Sequence, residues 1–162
     1  MKQFITLKLM KTGGYKVLEP VDSRFYSLYE ILDIHYYQKK FSGIGLIDWL
    51  SDEKKTSEGN EWVSIDKEQG AIALYDMSDQ FGDEAASLLI ETDPEKRFEM
   101  SYKNFAEILY QWEELRVSQL DIILVVIHED NHVSLETDPT IIKEYQDAGY
   151  AFDINKEELN NA

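Results

Sequence analysis

The chain has 162 residues, of which 43% are hydrophobic and 12% aromatic, enough to build one folded core and to exclude a disordered acidic tail. It contains no cysteine, which excludes disulfides and thiolate metal sites and fits an intracellular, cytoplasmic setting. Residues 1–50 carry seven basic and five acidic side chains whereas residues 51–162 carry nine basic and 27 acidic, so the net charge of −16 resides in the later two thirds, a field that repels nucleic acid and anionic lipid.

The opening segment, Met1 to Met10, is too short and too interrupted by Lys8 for a signal peptide or a membrane span, and reads as a strand. Gly13-Gly14 turns it towards Tyr15, Val17 and Leu18, giving a first hairpin that Pro20 ends. Asp22 or Ser23 can cap a helix with Phe25, Leu28, Tyr29, Leu32 and Tyr36 on one face, and Ser27 with Glu30 offers a later capping-box start. The segment Ile44 to Leu50 follows Gly43 and Gly45 without a clear period, and Ser51 to Asn60 is polar enough to read as an exposed loop.

From Trp62 the period becomes two: Val63 and Ile65 alternate with Ser64 and Asp66, Glu68-Gln69-Gly70 turns the chain, and Ile72 and Leu74 continue a second hairpin. Asp76 to Glu84 reads as an acidic loop, Leu88 to Ile90 as a strand, and Asp93-Pro94 as a turn. The stretch Arg97 to Ile127 carries the strongest pattern in the chain. Ser101 can cap a helix whose stripe is Phe105, Ile108, Leu109, Trp112 and Leu115, with Glu107, Gln111, Glu114 and Ser118 opposite. The run from Leu120 to Ile127, broken only by Asp121, is rich in β-branched residues and has no polar face, which predicts a central strand covered on both sides. Glu129-Asp130-Asn131 then turns the chain into Val133 to Leu135. Asp138 followed by Pro139 predicts a helix over Thr140 to Ala148, stopped by Gly149, and the tail from Asn155 to Ala162 is polar.

One motif matches literally. His128-Glu129-Asp130-Asn131-His132 spells H-E-x-x-H, the zinc-peptidase pattern, which needs both histidines one turn apart on a helix and a third ligand. Here it falls on an acidic turn between two strands, and neither Glu144 nor Glu157 is marked as a third ligand by its neighbours. No glycine loop has phosphate-binding spacing, no serine stands in a G-x-S-x-G turn, and Asp76, Asp79, Asp83 and Glu84 lack the spacing of an EF-hand. The three histidines, His35, His128 and His132, are the scattered residues left for an enzyme to use. No metal, cofactor or catalytic residue is expected.

The hairpin from Trp62 ending in Ala73-Leu74-Tyr75-Asp76, the segment Arg97 to Phe105 leading to Leu109-Tyr110-Gln111-Trp112-Glu113-Glu114-Leu115, and the strand Ile122 to Ile127 together resemble the small acidic immunity proteins of bacterial toxin systems. These include the partners of contact-dependent inhibition and polymorphic toxins. The resemblance covers about half of the chain and carries over no residue by position. It implies a cytoplasmic, non-enzymatic protein that binds a cognate toxin domain, often a basic nuclease, and covers its active site or substrate groove. The residues placed to make that contact are Asp76, Asp79, Asp83 and Glu84 in one loop and Glu129 and Asp130 at the other turn. The alternatives are another acidic inhibitor or nucleic-acid mimic, such as a phage-encoded one, and a zinc-dependent hydrolase. The expected architecture is a single α+β domain, 1–162, with a mostly antiparallel sheet of about five to seven strands and about three helices. The order of elements around Trp112 permits one parallel pairing.

Overall fold

The computed structural model describes residues 3–9, 15–17, 23–32, 46–59, 63–76 and 97–148. Among these lie β1 (Gln3–Leu9), β2 (Tyr15–Val17), α1 (Ser23–Leu32), α2 (Leu46–Ser51), β3 (Ser57–Gly59), β4 (Val63–Glu68), β5 (Ala71–Asp76), β6 (Arg97–Ser101), α3 (Tyr102–Ser118), β7 (Ile122–Ile127), β8 (Val133–Glu136) and α4 (Pro139–Asp147). The α+β class holds. The strands form two four-stranded antiparallel sheets, ordered β2-β1-β7-β8 and β3-β4-β5-β6, in place of one sheet of five to seven strands. The expected strand at Leu88 to Ile90, the turn at Asp93-Pro94, Tyr36, Gly149 and the tail 155–162 lie outside the described residues. None of the described helices is long and apolar enough to cross a membrane.

The chain divides into two compact units, Met1–Pro20 with Ile108–Ala162, and Val21–Glu107. In the first, β7 is an inner strand, paired with β1 from Gln3↔Ile127 to Lys8↔Ile122 and with β8 from Leu124↔Glu136 to Ile127↔Val133. Its continuous apolar sequence follows from cover on both faces. Leu124 and Val126 pack with Ile142 of α4, flanked by Phe4, Ile122 and Tyr145. Phe4 and Tyr145 meet with ring centroids 5.0 Å apart. The alternate residues Ile123, Val125 and Ile127 are buried on the other side. Tyr15 of β2 meets Trp112 of α3 edge-on at 5.4 Å, and its hydroxyl donates to the Leu120 carbonyl at 2.7 Å. Burial, and then the charge of Asp121, raises the pKa of that phenol, so it stays a donor at neutral pH.

The helix boundaries have local causes. Ser101 Oγ accepts from the Asn104 amide at 3.1 Å, the expected cap of α3. The residues of its predicted stripe from Phe105 to Trp112 are buried, Leu115 is half-buried, and Glu107, Gln111, Glu114 and Ser118 are exposed. Gln119, with φ 58°, stops the helix in the left-handed conformation. Asp138 caps α4 by accepting from the Thr140 amide at 2.9 Å, with Pro139 at the first helical position, and the helix ends at Asp147, one residue before the predicted end.

In the second unit, α1 lies against β4, β5 and β6. Phe25 meets Phe98 edge-on at 5.3 Å, and Leu28, Ile31 and Leu32 are buried with it, while Tyr29 is half-buried. The capping-box start at Ser27 is not used. The helix begins at Ser23, which brings Phe25 onto the buried face and leaves Ser27 inside the helix. The segment without a clear period is α2, whose Leu46, Trp49 and Leu50 are buried at i, i+3 and i+4 spacing. The predicted exposed loop contains β3, which pairs with β4 from Ser57↔Asp66 to Gly59↔Ser64. A three-residue edge strand of polar and small residues shows no hydrophobic alternation, so the pattern did not mark it. The second hairpin runs as predicted from Val63↔Asp76 to Glu68↔Ala71, with Gly70 at φ +68° in its turn. The parallel pairing around Trp112 does not occur, because β6 and β7 belong to different sheets and every described pairing is antiparallel.

Candidate functional site

The turn between β7 and β8 is built by three hydrogen bonds. The Asn131 amide donates to the His128 carbonyl at 2.9 Å, the His128 amide donates to the His132 carbonyl at 2.9 Å, and the His132 amide donates to Asp130 Oδ1 at 3.1 Å. Asn131 sits at φ 63°, a conformation that asparagine accepts more readily than most residues. A three-residue loop ending in a left-handed residue is one of the favoured hairpin connections. Glu129 and Asp130 are exposed at its tip, one residue beyond the buried Ile127 and half-buried His128.

The H-E-x-x-H match therefore has a hairpin context, as its neighbours predicted. The two imidazole rings are tilted against each other with centroids 5.6 Å apart, and His128 Nε2 lies 3.1 Å from Ser134 Oγ. Serine can serve as either donor or acceptor to a histidine nitrogen, so this contact is satisfied with either tautomer of the ring. Among the described residues, no group of three or more histidine, aspartate or glutamate side chains is placed to hold a metal ion. Glu144 is exposed on α4.

The other predicted contact residues are divided. Asp76 is the last residue of β5, opposite Val63, in the unit Val21–Glu107, whereas Glu129 and Asp130 belong to the other unit. Asp79, Asp83 and Glu84, like His35 and Glu157, lie outside the described residues.

A second charged cluster was not singled out by motif. Arg97 on the edge strand β6 donates through Nη1 to the Tyr75 hydroxyl at 2.5 Å. Through Nη2 it donates to Glu68 at 3.0 and 3.1 Å and to Glu99 Oε2 at 2.6 Å. The register explains the convergence. Tyr75 is directly opposite Arg97, Glu99 is two residues further along the same face, and Glu68 lies on the same face of β4. Glu99 first, and Glu68 with it, raise the guanidinium pKa further, so Arg97 is permanently charged. The sequence signal was two acid-bearing alternations, Asp66-x-Glu68 and Arg97-x-Glu99, which acquire meaning only once the strands are paired.

Asp66 shares that face. Burial raises its carboxyl pKa above the ordinary 3.8, and the Glu68 charge adds to this, while a hydrogen bond from Ser57 and the Arg97 charge oppose it. The folded chain thus holds a proton at Asp66 more readily than the unfolded chain. The resulting stabilisation is complete below 3.8 and is lost as the pH rises through the elevated folded value. An Asp66→Asn variant is expected to be more stable than the parent at neutral pH, with the advantage vanishing towards pH ~4. Urea midpoints across that range check it; an advantage independent of pH contradicts it.

On the opposite face of β4, Lys67 Nζ donates to the carbonyls of Trp49 at 2.6 Å and Asp52 at 2.7 Å, and lies 4.3 Å from the centroid of the Trp49 ring. Burial lowers the amine's pKa, and Asp52 partly restores it. Both carbonyls also accept backbone hydrogen bonds, Trp49 from the Asp52 amide and Asp52 from the Lys55 amide, each at 3.1 Å, so Lys67 adds a second donor to each and ties β4 to the end of α2.

No protein-family model, curated protein or solved structure matches this chain.

Proposed function

We propose that this chain is an immunity protein that binds a cognate toxin domain in the cytoplasm and neutralises it by covering its active site or substrate groove, without catalysis of its own. The observation that carries the reading is the excess of acids in residues 51–162, 27 against nine basic side chains. It is supported by the presentation of Glu129 and Asp130 on a hydrogen-bonded turn. Carboxylates fixed on stiff backbone pair with lysine and arginine in a basic nuclease groove at little ordering cost. Asp76, Asp79, Asp83 and Glu84 supply further charge to the same reading. A phage-encoded inhibitor or nucleic-acid mimic would share this charge but bind a host factor.

The test is co-expression with the protein encoded by the adjacent gene. The expected outcome is rescue of growth and a purified complex whose association rate falls steeply with added salt. Reversing the tip with Glu129→Lys and Asp130→Lys together is expected to slow association about tenfold. Failure both to form a complex and to rescue growth overturns the reading, and an association rate indifferent to salt removes its electrostatic basis.

A further inference from the structure

The outward face of α3 carries two large apolar side chains that are exposed among the described residues. Tyr110 is 57% exposed and Val117 is 65% exposed, although the helix already buries its stripe from Phe105 to Trp112. Positions 110, 114 and 117 follow one another at helical spacing, so Tyr110, Glu114 and Val117 form one ridge, with Gln111 and Ser118 exposed beside it. Tyr102 on the same helix differs, because its hydroxyl donates to the Leu50 carbonyl at 2.8 Å and so serves the fold. Helix propensity does not account for the ridge either, since valine and tyrosine are both poorer helix formers than the charged residues that suit an exposed face.

We propose that this ridge is the apolar anchor for a basic protein partner, with Tyr110 entering a socket rimmed by lysine or arginine that also pairs with Glu114. The inference rests on the immunity reading and deepens it. Exposed carboxylates mainly accelerate encounter, whereas the lifetime of a complex depends on a few well-buried side chains. Tyrosine suits that role: it buries a large rigid ring with few torsions to immobilise and keeps a hydroxyl for the rim. The charge selects the occupant. A second copy of this chain, also at −16, is repelled, as are nucleic acid and an anionic membrane, while a basic protein surface is attracted.

The experiment measures binding of the purified chain to the toxin domain encoded by the adjacent gene. Tyr110→Ala is expected to weaken binding about 30-fold or more, chiefly by faster dissociation. Glu114→Gln is expected to slow association several-fold with little change in dissociation, and both variants should keep the parental thermal midpoint. If the parent chain itself does not bind, the immunity reading fails. If the parent binds and Tyr110→Ala binds within about twofold of it, the ridge alone is refuted and the immunity reading stands. An unchanged association rate in Glu114→Gln removes the pairing at the rim. If Tyr110→Ala converts a dimer of the free chain to a monomer in analytical ultracentrifugation, the ridge serves self-association and the proposal is overturned.

Discussion

Replacing Trp112 with alanine is expected to lower the free energy of unfolding by about 3–5 kcal/mol, as for other buried tryptophans. The side chain is 1% exposed and stands edge-on to Tyr15 at 5.4 Å. Its removal opens a cavity where Ile108 and Leu109 of the same helix are also buried, and it takes away an aromatic pair worth more than its area alone. It also frees the ring whose hydroxyl ties β2 to the Leu120 carbonyl ahead of β7. Domains of this size have about 5–15 kcal/mol of stability in total, so the variant should lose a large share of it. Urea titration followed by far-ultraviolet circular dichroism checks this, and a loss below about 1 kcal/mol would show that the ring is not part of the core.

Trp49 is expected to answer differently to two substitutions. It is 0% exposed, so Trp49→Ala should cost a similar 3–5 kcal/mol or so, including the Lys67 contact above its ring. Its indole Nε1, however, is buried without a hydrogen-bond partner among the described residues. A buried unpaired donor costs about 1–3 kcal/mol, and phenylalanine discards it while keeping most of the apolar contact. Trp49→Phe should therefore lie within about 1.5 kcal/mol of the parent. Equal losses for the two variants would mean that the N–H has an acceptor after all.

These residues also mark what could be read in advance. Trp112 announced itself through helical spacing, and the apolar run Ile122–Ile127 announced an inner strand, because burial on both sides leaves no choice of residue type. Trp49 was missed because a six-residue helix is shorter than two full periods and its flanking glycines dominated the local signal. β3 was missed for the converse reason, being an edge strand whose pairing is made by backbone groups that the sequence does not display. The pairing of β1 with β7 joins segments more than a hundred residues apart, and no local pattern specifies it. The same holds for the cluster around Arg97, whose acids converge through register. The turn carrying Glu129 and Asp130 was legible from composition; its shape depended on Asn131 adopting a positive φ, which the sequence permitted without requiring.

That turn separates the groups that hold its backbone from the side chain at its tip. Its geometry is held by backbone groups of His128, Asn131 and His132 and by the carboxylate of Asp130, and the Glu129 side chain takes no part in those three bonds. A change at position 129 therefore leaves those three bonds in place, although it removes a carboxylate whose pKa is lowered by a hydrogen bond from the N-terminal amine.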